Sequence, residues 1–598
     1  MSNLLREIEN LLVIANMENC GINPALYFSK YFEAGQVEKL RDLNQICSYH
    51  NFNISKASKK YNAMESYVKS LPENKYRCLS AVTTANLAIN LSQGAIVENA
   101  CISMNYPDGF VYLPGSSVKG ICRSYAESNG IDANTIREIF GDDSEDGSKH
   151  SSSIIFYDAF SSNAKLHVDI SNCHHMKYYD EKKNIPLDDE QPNPVFFLAL
   201  KPGAKFNFYL VLKDGGNSEN LNMVFEILQK ALSYNGIGAK TSLGYGSFNT
   251  GVPLEQNDNV INTILTLDSP AFLAGADPSD STTCTLRPST LKGMLRWWWR
   301  KLYIGNSEKT KELAKKLGLS EKSVLQAVER VVWGGIKNNE IYRSPIQINI
   351  KNITLAQKPF ISLKKYTTFG MFKMGDKGID RKVVAAGTSW QVSFKCPNAI
   401  IKQELEKALF LLSSYGGIGA KSRKGFGSVS FNIKFPEVKE LPFSVVTLVS
   451  DDNLKSALND SNNFLQQLSC LFIKMPIDHD NRCKKDEQLQ FGYAKSSDRY
   501  ASPVIISIHK KNDKYLVQAA LFAGNGEKLE QRTVETIKKF LNLSDINQIP
   551  ALVKFARPKL SEKFQNELAK RLTALIQLEG KFGKRNRKES FKDFNVLG

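Results

Sequence analysis

Close cysteine pairs are the first thing this 598-residue sequence lacks: none of its ten cysteines forms a C-x-x-C pair. That excludes a zinc ribbon and a thioredoxin-like redox motif. Histidine is scarce as well, with seven residues in all, so there is little material for a metal centre or a histidine base. The opening segment MSNLLREIENLLVIANMENC holds only a five-residue apolar stretch, Leu11 to Ala15, flanked by acids. It is no signal peptide. No window approaches 18 consecutive apolar residues, which excludes a transmembrane helix. These absences predict a soluble, reduced, cytoplasmic protein with no membrane partner. The composition, 42% hydrophobic and 23% charged with 21 Pro and 38 Gly, excludes disorder, collagen and a disulfide scaffold. The length suggests three or four folded units.

Acidic charge is in short supply over one half only. Residues 1–260 carry 23 Lys+Arg and 29 Asp+Glu, a net of −6, and the remainder carries 55 and 32, a net of +23. Such an excess predicts a polyanionic partner, nucleic acid before an anionic membrane.

The sequence repeats itself. Residues 234–247 read YNGIGAKTSLGYGS and residues 415–428 read YGGIGAKSRKGFGS, identical at nine of fourteen positions. Upstream, LPGSSVKGICR (113–123) matches RPSTLKGMLR (287–296), each with hydroxyl residues, a Lys-Gly pair and a following Arg. A weaker pair sets KPGAKFNFYLVLK (201–213) against AAGTSWQVSFKCP (385–397). Three features in one order at spacings near 180 indicate duplication.

Each repeat has the same expected elements. A strand (82–91; 262–272) is followed by a polar loop. Next comes a helix opened by the Lys-Gly motif, with Ser116 or Ser289 as N-cap. Two strands follow (154–160 and 206–213; 346–350 and 390–394), then a second helix (221–232; 401–414), the glycine loop and a closing strand. That order is ferredoxin-like, and the fold class is α+β. It brings the glycine loop beside the first strand's end and predicts a corner where a helix N-terminus and free loop N–H groups face one another. Lys119 joins Lys240 at one corner and Lys292 joins Lys421 at the other, an arrangement suited to phosphodiester. Glycines serving only as turns, or lysines as solvated charge, are the competing readings. A nucleotide-binding P-loop is excluded, because Ala239 stands where Gly must precede Lys240 and no strand leads into the loop.

On these motifs the chain resembles the RAMP proteins of CRISPR–Cas systems. Gly236, Gly238, Gly244 and Gly246 fit the family's GxGxxxxxGxG pattern, as do Gly417, Gly419, Gly425 and Gly427. Through LPGSSVKGICRS, IIFYDAF and the 169–179 stretch, the first half is similar to subunit six of the type III-B Cmr complex. Through LTLDSPAFLAGAD and TLRPSTLKGMLRWWWRKL, the second half resembles subunit one. The resemblance implies a natural fusion with tandem ferredoxin-like (RRM-like) units. The expected organisation is a helical extension (1–75), a first unit (76–250), a linker (251–262), a second unit (263–436) and a degenerate third unit (437–598). It implies CRISPR guide RNA, target RNA and other Cmr subunits as partners, among them the repeated backbone subunit and the small helical subunit. The expected role is non-catalytic: capping the guide RNA 3′ side of an interference complex. Candidate RNA-binding residues are Ser116, Ser117, Lys119, Arg123, Gly236, Gly238, Lys240, Ser289, Thr290, Lys292, Arg296, Trp299, Arg300, Gly417, Gly419, Lys421, Arg423 and Lys424.

Catalysis has weak support. None of the seven histidines falls in the shared motifs. His174 and His175, near Asp169 and Cys173, fit no closed zinc site and would point to opposite faces of a strand. The loop aspartates Asp108, Asp277 and Asp280 read as solvation or helix-end partners. No metal or cofactor is expected. Trp297, Trp298 and Trp299 spread around a helix, so at least one belongs to the core and Trp299, sharing a face with Arg296 and Arg300, is the candidate to stack on a base. The region 437–598 predicts a helix (453–472), a hairpin (499–522) with a Lys-Lys-Asn-Asp turn, and helices at 527–542 and 561–578. The tail KFGKRNRK reads as solvated charge. A metal-independent endonuclease processing guide precursors, and a free-standing single-stranded RNA-binding protein, stay open as alternatives.

Overall fold

The structure, a computed structural model, describes residues 58–90, 102, 104–275, 279, 284–356, 371, 381–472 and 493–579. Short breaks fall at 108, 144–148, 162, 187–192, 254, 338–339, 496–497, 501–503, 525–526, 529–530, 544 and 557–561. Expectations for residues 1–57, for Asp108, Asp277 and Asp280, and for the basic tail lie outside the described residues. The chain is α+β, and its described part is built on three antiparallel sheets.

The first sheet begins with α1 (Ser58–Ser70) and β1 (Tyr76–Thr83). Along β1, Leu79, Ala81 and Thr83 alternate inward, which is the half-buried strand pattern. After β2 (Tyr112–Leu113) come α2 (Gly115–Ser128), α3 (Ala133–Phe140), β3 (Ile154–Phe156) and β4 (Ala159–Ser161). A hairpin of β5 (Leu166–Cys173) and β6 (Asn193–Leu200) encloses the single turn α4 (Met176–Tyr179). β7 (Lys205–Leu212), α5 (Ser218–Tyr234) and β8 (Phe248–Asn249) complete the set. The strand order is β8-β1-β7-β4-β2, with β3 also on β7. Val118 and Cys122 of α2 join Leu221, Val224 and Leu228 of α5 on one face, over Phe206, Phe208 and Leu210. α1 covers the other face, where Val68 packs with Tyr209 and Val211. The described end of the 1–75 segment is therefore part of this layer.

The second sheet repeats the scheme with β9 (Val260–Leu267), α6 (Pro288–Tyr303), α7 (Ser307–Lys316), α8 (Leu325–Trp333), the β10/β11 hairpin (Gly335–Lys337, Glu340–Tyr342), β12 (Gln347–Thr354), β13 (Ser389–Lys395), α9 (Ala399–Tyr415) and β14 (Val429–Phe431). The order β12-β13-β9-β14 sets the first strand between the third and the last. Leu265 pairs with Trp390 and Phe431. The third sheet, β15-β17-β16, comprises β15 (Ser444–Asp451), β16 (Val504–Lys511) and β17 (Lys514–Leu521). Among the described residues four helices accompany it: α10 (Leu454–Phe472), α11 (Gln531–Leu541), α12 (Ile549–Ala556) and α13 (Glu562–Glu579).

Several expected boundaries move for local reasons. Ser116 and Ser289 are not N-caps. Pro114 precedes α2 and Pro288 is the first residue of α6, because the fixed φ of proline suits helix entry. Asp158 Oδ1 accepts the Gly115 N–H at 2.8 Å. The first strands stop at Thr83 and Leu267, not at 91 and 272. Beyond them, among the described residues, single bridges continue: Leu87 to Leu200 and Ala88 to Ala239, then Ala271 to Val384 and Phe272 to Ala420. β9 already starts at Val260, inside the stretch 251–262 expected as linker. The hairpin turn is Asn512-Asp513, both with positive φ (47° and 62°), a two-residue primed turn that leaves Lys510 and Lys511 in the strand. Helix α12 was not expected, since Pro550 in its first turn reads as a breaker.

Candidate nucleic-acid interface

The two glycine loops have one geometry. Lys240 and Lys421 both occupy the left-handed region (φ 60° and 61°), where non-glycine residues are uncommon. Gly246 and Gly427 are required sterically. A Cβ there would lie 1.9 Å from the Ile237 carbonyl oxygen or 2.0 Å from that of Ile418, and both residues have positive φ. Each loop is fastened beside the end of the first strand. Ala239 N donates to Ala88 O at 2.7 Å and Gly246 N to Asn86 O at 2.8 Å. Ala420 N and Gly427 N do the same toward Phe272 O and Pro270 O, at 3.0 and 2.8 Å. Ile237 N and Ile418 N close the loops onto Gly246 O and Gly427 O. These six N–H groups are used inside the protein to close and fasten the loops.

The paired-lysine corner is also corrected. Lys292 does not join Lys421; it reaches the loop of the other repeat. Its Nζ donates to Ser242 O at 2.9 Å and to Ile346 O at 3.1 Å. The residue is 6% exposed, and burial, with Arg296 adding repulsion, pushes its ammonium pKa down to about 7. Lys119 has Arg123 and Lys213 as charged neighbours. Lys240 sits 4.8 Å over the Phe197 ring; burial lowers its pKa while Asp169 opposes the shift.

Trp299, Arg300 and Arg296 are corrected on the same ground. Trp299 is fully buried, its Nε1 donating to Glu404 at 2.7 Å. Arg296 and Arg300 both pair with the fully buried Glu329. Burial alone would raise the Glu329 pKa, but the two guanidiniums hold it at about 2. Tyr178 OH donates to the same carboxylate at 2.8 Å, and the Arg296 guanidinium lies 4.4 Å over the Tyr179 ring. Arg330 and Lys337 close on Glu181. The 169–179 stretch and the Arg-Trp-Trp helix are thus two sides of one junction between the first and second sheets. Glu181, Glu329 and Arg330 escaped the sequence reading because isolated charges look solvated. Ser289 and Thr290 are part-buried in the first turn of α6, which opens on this junction, whereas Ser116 and Ser117 are exposed on α2.

His174 and His175 follow β5 instead of lying in it. His175 takes φ 63° at the start of α4, so alternation across a strand does not apply to them. Asp169 is a buried structural acceptor for Asn86, Tyr245 and Arg287.

Lys421 is lowered by burial and by Arg381, and Lys424 by burial and by Lys421, to about 8. Three cations therefore converge where the first loop has Lys240 beside a carboxylate. Next to them the Arg423 guanidinium lies 5.2 Å over Trp297, the half-buried member of the Trp cluster.

Comparison with known proteins agrees with these repeats. The model of the RAMP superfamily matches residues 94–249 and 264–430. The CMR subunit Cmr6 of Saccharolobus solfataricus is 26% identical over 216 residues, covering 35% of this chain and 69% of that protein. The Cmr subunit Cmr1-2 of Pyrococcus furiosus is 26% identical over 176 residues, covering 27% and 89%. A chain of the type III-B Cmr-beta complex bound to cognate target RNA, solved by cryo-EM, is similar at 22% identity and a TM-score of 0.29, covering 41% of this chain and 86% of that one. Relatives of both names fit a chain that joins a Cmr6-like and a Cmr1-like part. With two matched segments that together span more than half of its length, the chain belongs to the RAMP superfamily.

Proposed function

We propose that this chain is a non-catalytic RNA-binding structural subunit of a type III-B CRISPR interference complex, doing in one polypeptide the work of a Cmr6-like and a Cmr1-like subunit. In this reading the first two sheets are tandem ferredoxin-like units, near 76–250 and 263–436, and 437–598 is a degenerate third. The chain caps the guide RNA 3′ side and contacts guide and target RNA. Guide RNA, target RNA, the repeated backbone subunit and the small helical subunit are its partners.

The observation that supports RNA binding is the second glycine loop itself, where Lys421 is held at φ 61° with Arg381 and Lys424 as charged neighbours and the Arg423 guanidinium lies 5.2 Å over the Trp297 ring. Like charges held together and half-buried raise one another's free energy, and a phosphodiester relieves that cost. Lys421→Ala in the full chain should flatten the logarithmic salt dependence of single-stranded RNA binding by roughly one unit. The effect should be equal across RNA sequences, since phosphates carry no base identity. An unchanged slope, measured by salt-titrated fluorescence anisotropy, would remove the second loop from the RNA path.

A further inference from the structure

The two junctions inside the chain follow one rule. At the first, the glycine loop of the first sheet lies on α6 and on the outer strand β12 of the second. A Cβ on Gly244 would meet the Pro288 ring at 2.3 Å and Ile348 O at 2.9 Å, Lys292 reaches Ser242 O, and Ser247 Oγ donates to Asn349 Oδ1 at 3.0 Å. At the second, the glycine loop of the second sheet lies on β16, the outer strand of the third. Gly425 N donates to Ile506 O at 3.0 Å, Ile506 N to Arg423 O at 3.1 Å, and Ile508 N to Ser428 Oγ at 2.9 Å. Each loop is seated on the sheet edge of the next unit. An interface of this head-to-tail kind does not close on itself and leaves one receiving edge over at the start.

That leftover edge can be located by register. Phe156 pairs with Leu210 in the first sheet as Ile348 pairs with Phe394 in the second. Ser152 Oγ donates to Ile154 O at 2.7 Å as Ser344 Oγ donates to Ile346 O at 3.1 Å. Gly141 ends α3 with φ 74° as Gly334 ends α8 with φ 80°. Lys119 and Arg123 therefore stand where Lys292 and Arg296 stand. In the second sheet these positions meet the preceding unit: Lys292 is buried and reaches Ser242 O, and the Arg296 side chain, 16% exposed, lies over the Tyr179 ring. In the first sheet Ser116 and Ser117 are exposed, and the Arg123 side chain is 40% exposed beside Glu127.

We infer that the first turns of α2, with β3, form a docking surface for the glycine-rich loop of a RAMP-fold subunit on another polypeptide. The inference rests on the proposed membership of a multisubunit complex and names the face that this membership uses. A second copy of this chain is a poor occupant, because both of its glycine loops are already seated on its own sheets. The occupant is a RAMP subunit whose loop is free, and its loop carbonyls meet Lys119 as Ser242 O meets Lys292. The polarity follows: one edge is open at the first sheet, and among the described residues the third sheet presents no further loop of this kind.

The test mixes the purified full chain with the purified repeated backbone subunit of the same host and measures the dissociation constant by sedimentation velocity. Lys119→Glu combined with Arg123→Glu should weaken association at least tenfold. Lys230→Glu, on the exposed side of α5, should leave it within twofold. As a second measurement independent of the variant's folding, a cysteine at Ser117 should form a disulfide with a cysteine placed in the backbone subunit's glycine loop, and one at Lys230 should not. If the unmodified chain fails to bind the backbone subunit, the membership reading falls and takes this inference with it. If it binds but the glutamate variant binds equally, or the Ser117 cross-link does not form, the docking face alone is overturned. Self-association of the chain abolished by the same substitutions would assign the face to a second copy and overturn it likewise.

Discussion

At the scale of single residues, Lys292 shows how far a side chain can depart from what its type suggests. Lysine is almost never buried without a partner, and here both partners are neutral carbonyls. In the unfolded chain its ammonium titrates near ~10.4, and in the folded protein at about 7. Between these values the unfolded state binds more protons, so this residue makes stability rise with pH from about 7 to about 10. Lys292→Met keeps most of the volume and removes the titration. The stability difference between wild type and variant, followed by urea unfolding over that range, should shift toward the wild type as pH rises. RNA affinity at low salt should be unchanged. A loss of affinity in a variant that melts normally would return Lys292 to the RNA path. The side-chain positions were the least legible part of the sequence for this reason. Lys292, Arg296, Trp299 and Arg300 look like an RNA-facing stripe on a helix, and only the docking of a second layer turns that stripe inward.

Among whole elements, the glycine loops and sheet strands were legible and the contacts between sheets were not. Alternation of apolar residues in KFNFYLVL and SWQVSFK marks β7 and β13 through burial on one face. The repeated GIGAK spacing marks backbone that needs positive φ. What the spacing does not encode is which surface the loop meets, because that depends on residues far along the chain, 50 positions for Ser242 and Lys292, 80 for Ser428 and Ile508 and 102 for Ser247 and Asn349. The glycines divide accordingly. Gly427→Ala forces a Cβ to 2.0 Å from the Ile418 carbonyl oxygen at φ 67°, and such strain should cost about 2 kcal/mol or more. Gly293, inside α6, has nothing within 4 Å of the added atom, so Gly293→Ala should stabilise by roughly 0.5–1 kcal/mol through helix propensity. Thermal melting of the two variants beside wild type checks both signs. Equal effects would mean that the loop geometry is softer than its hydrogen bonds indicate.

On the scale of the whole molecule, charge and junctions divide the labour along the chain. The net of −6 over residues 1–260 and +23 over the rest predicts that the salt-dependent part of the proposed RNA binding falls on residues 261–598. The first sheet spends its own basic loop residue locally, with Lys240 beside Asp169 and over Phe197. The second sheet gathers Arg381, Lys421 and Lys424 instead. A single RNA strand bound to the intact chain should therefore follow the later residues. Photocross-linking with 4-thiouridine-substituted RNA, read by peptide mass spectrometry, should give most adducts within 261–598. A concentration near 381–424 is expected, around Arg381, Lys421 and Lys424. Raising the salt should erase adducts over 261–598 faster than any in 58–260, because released counterions drive only the former. Adducts spread evenly over both halves, with the same salt response, would show that the charge asymmetry serves solubility or assembly and that the RNA track is set by shape.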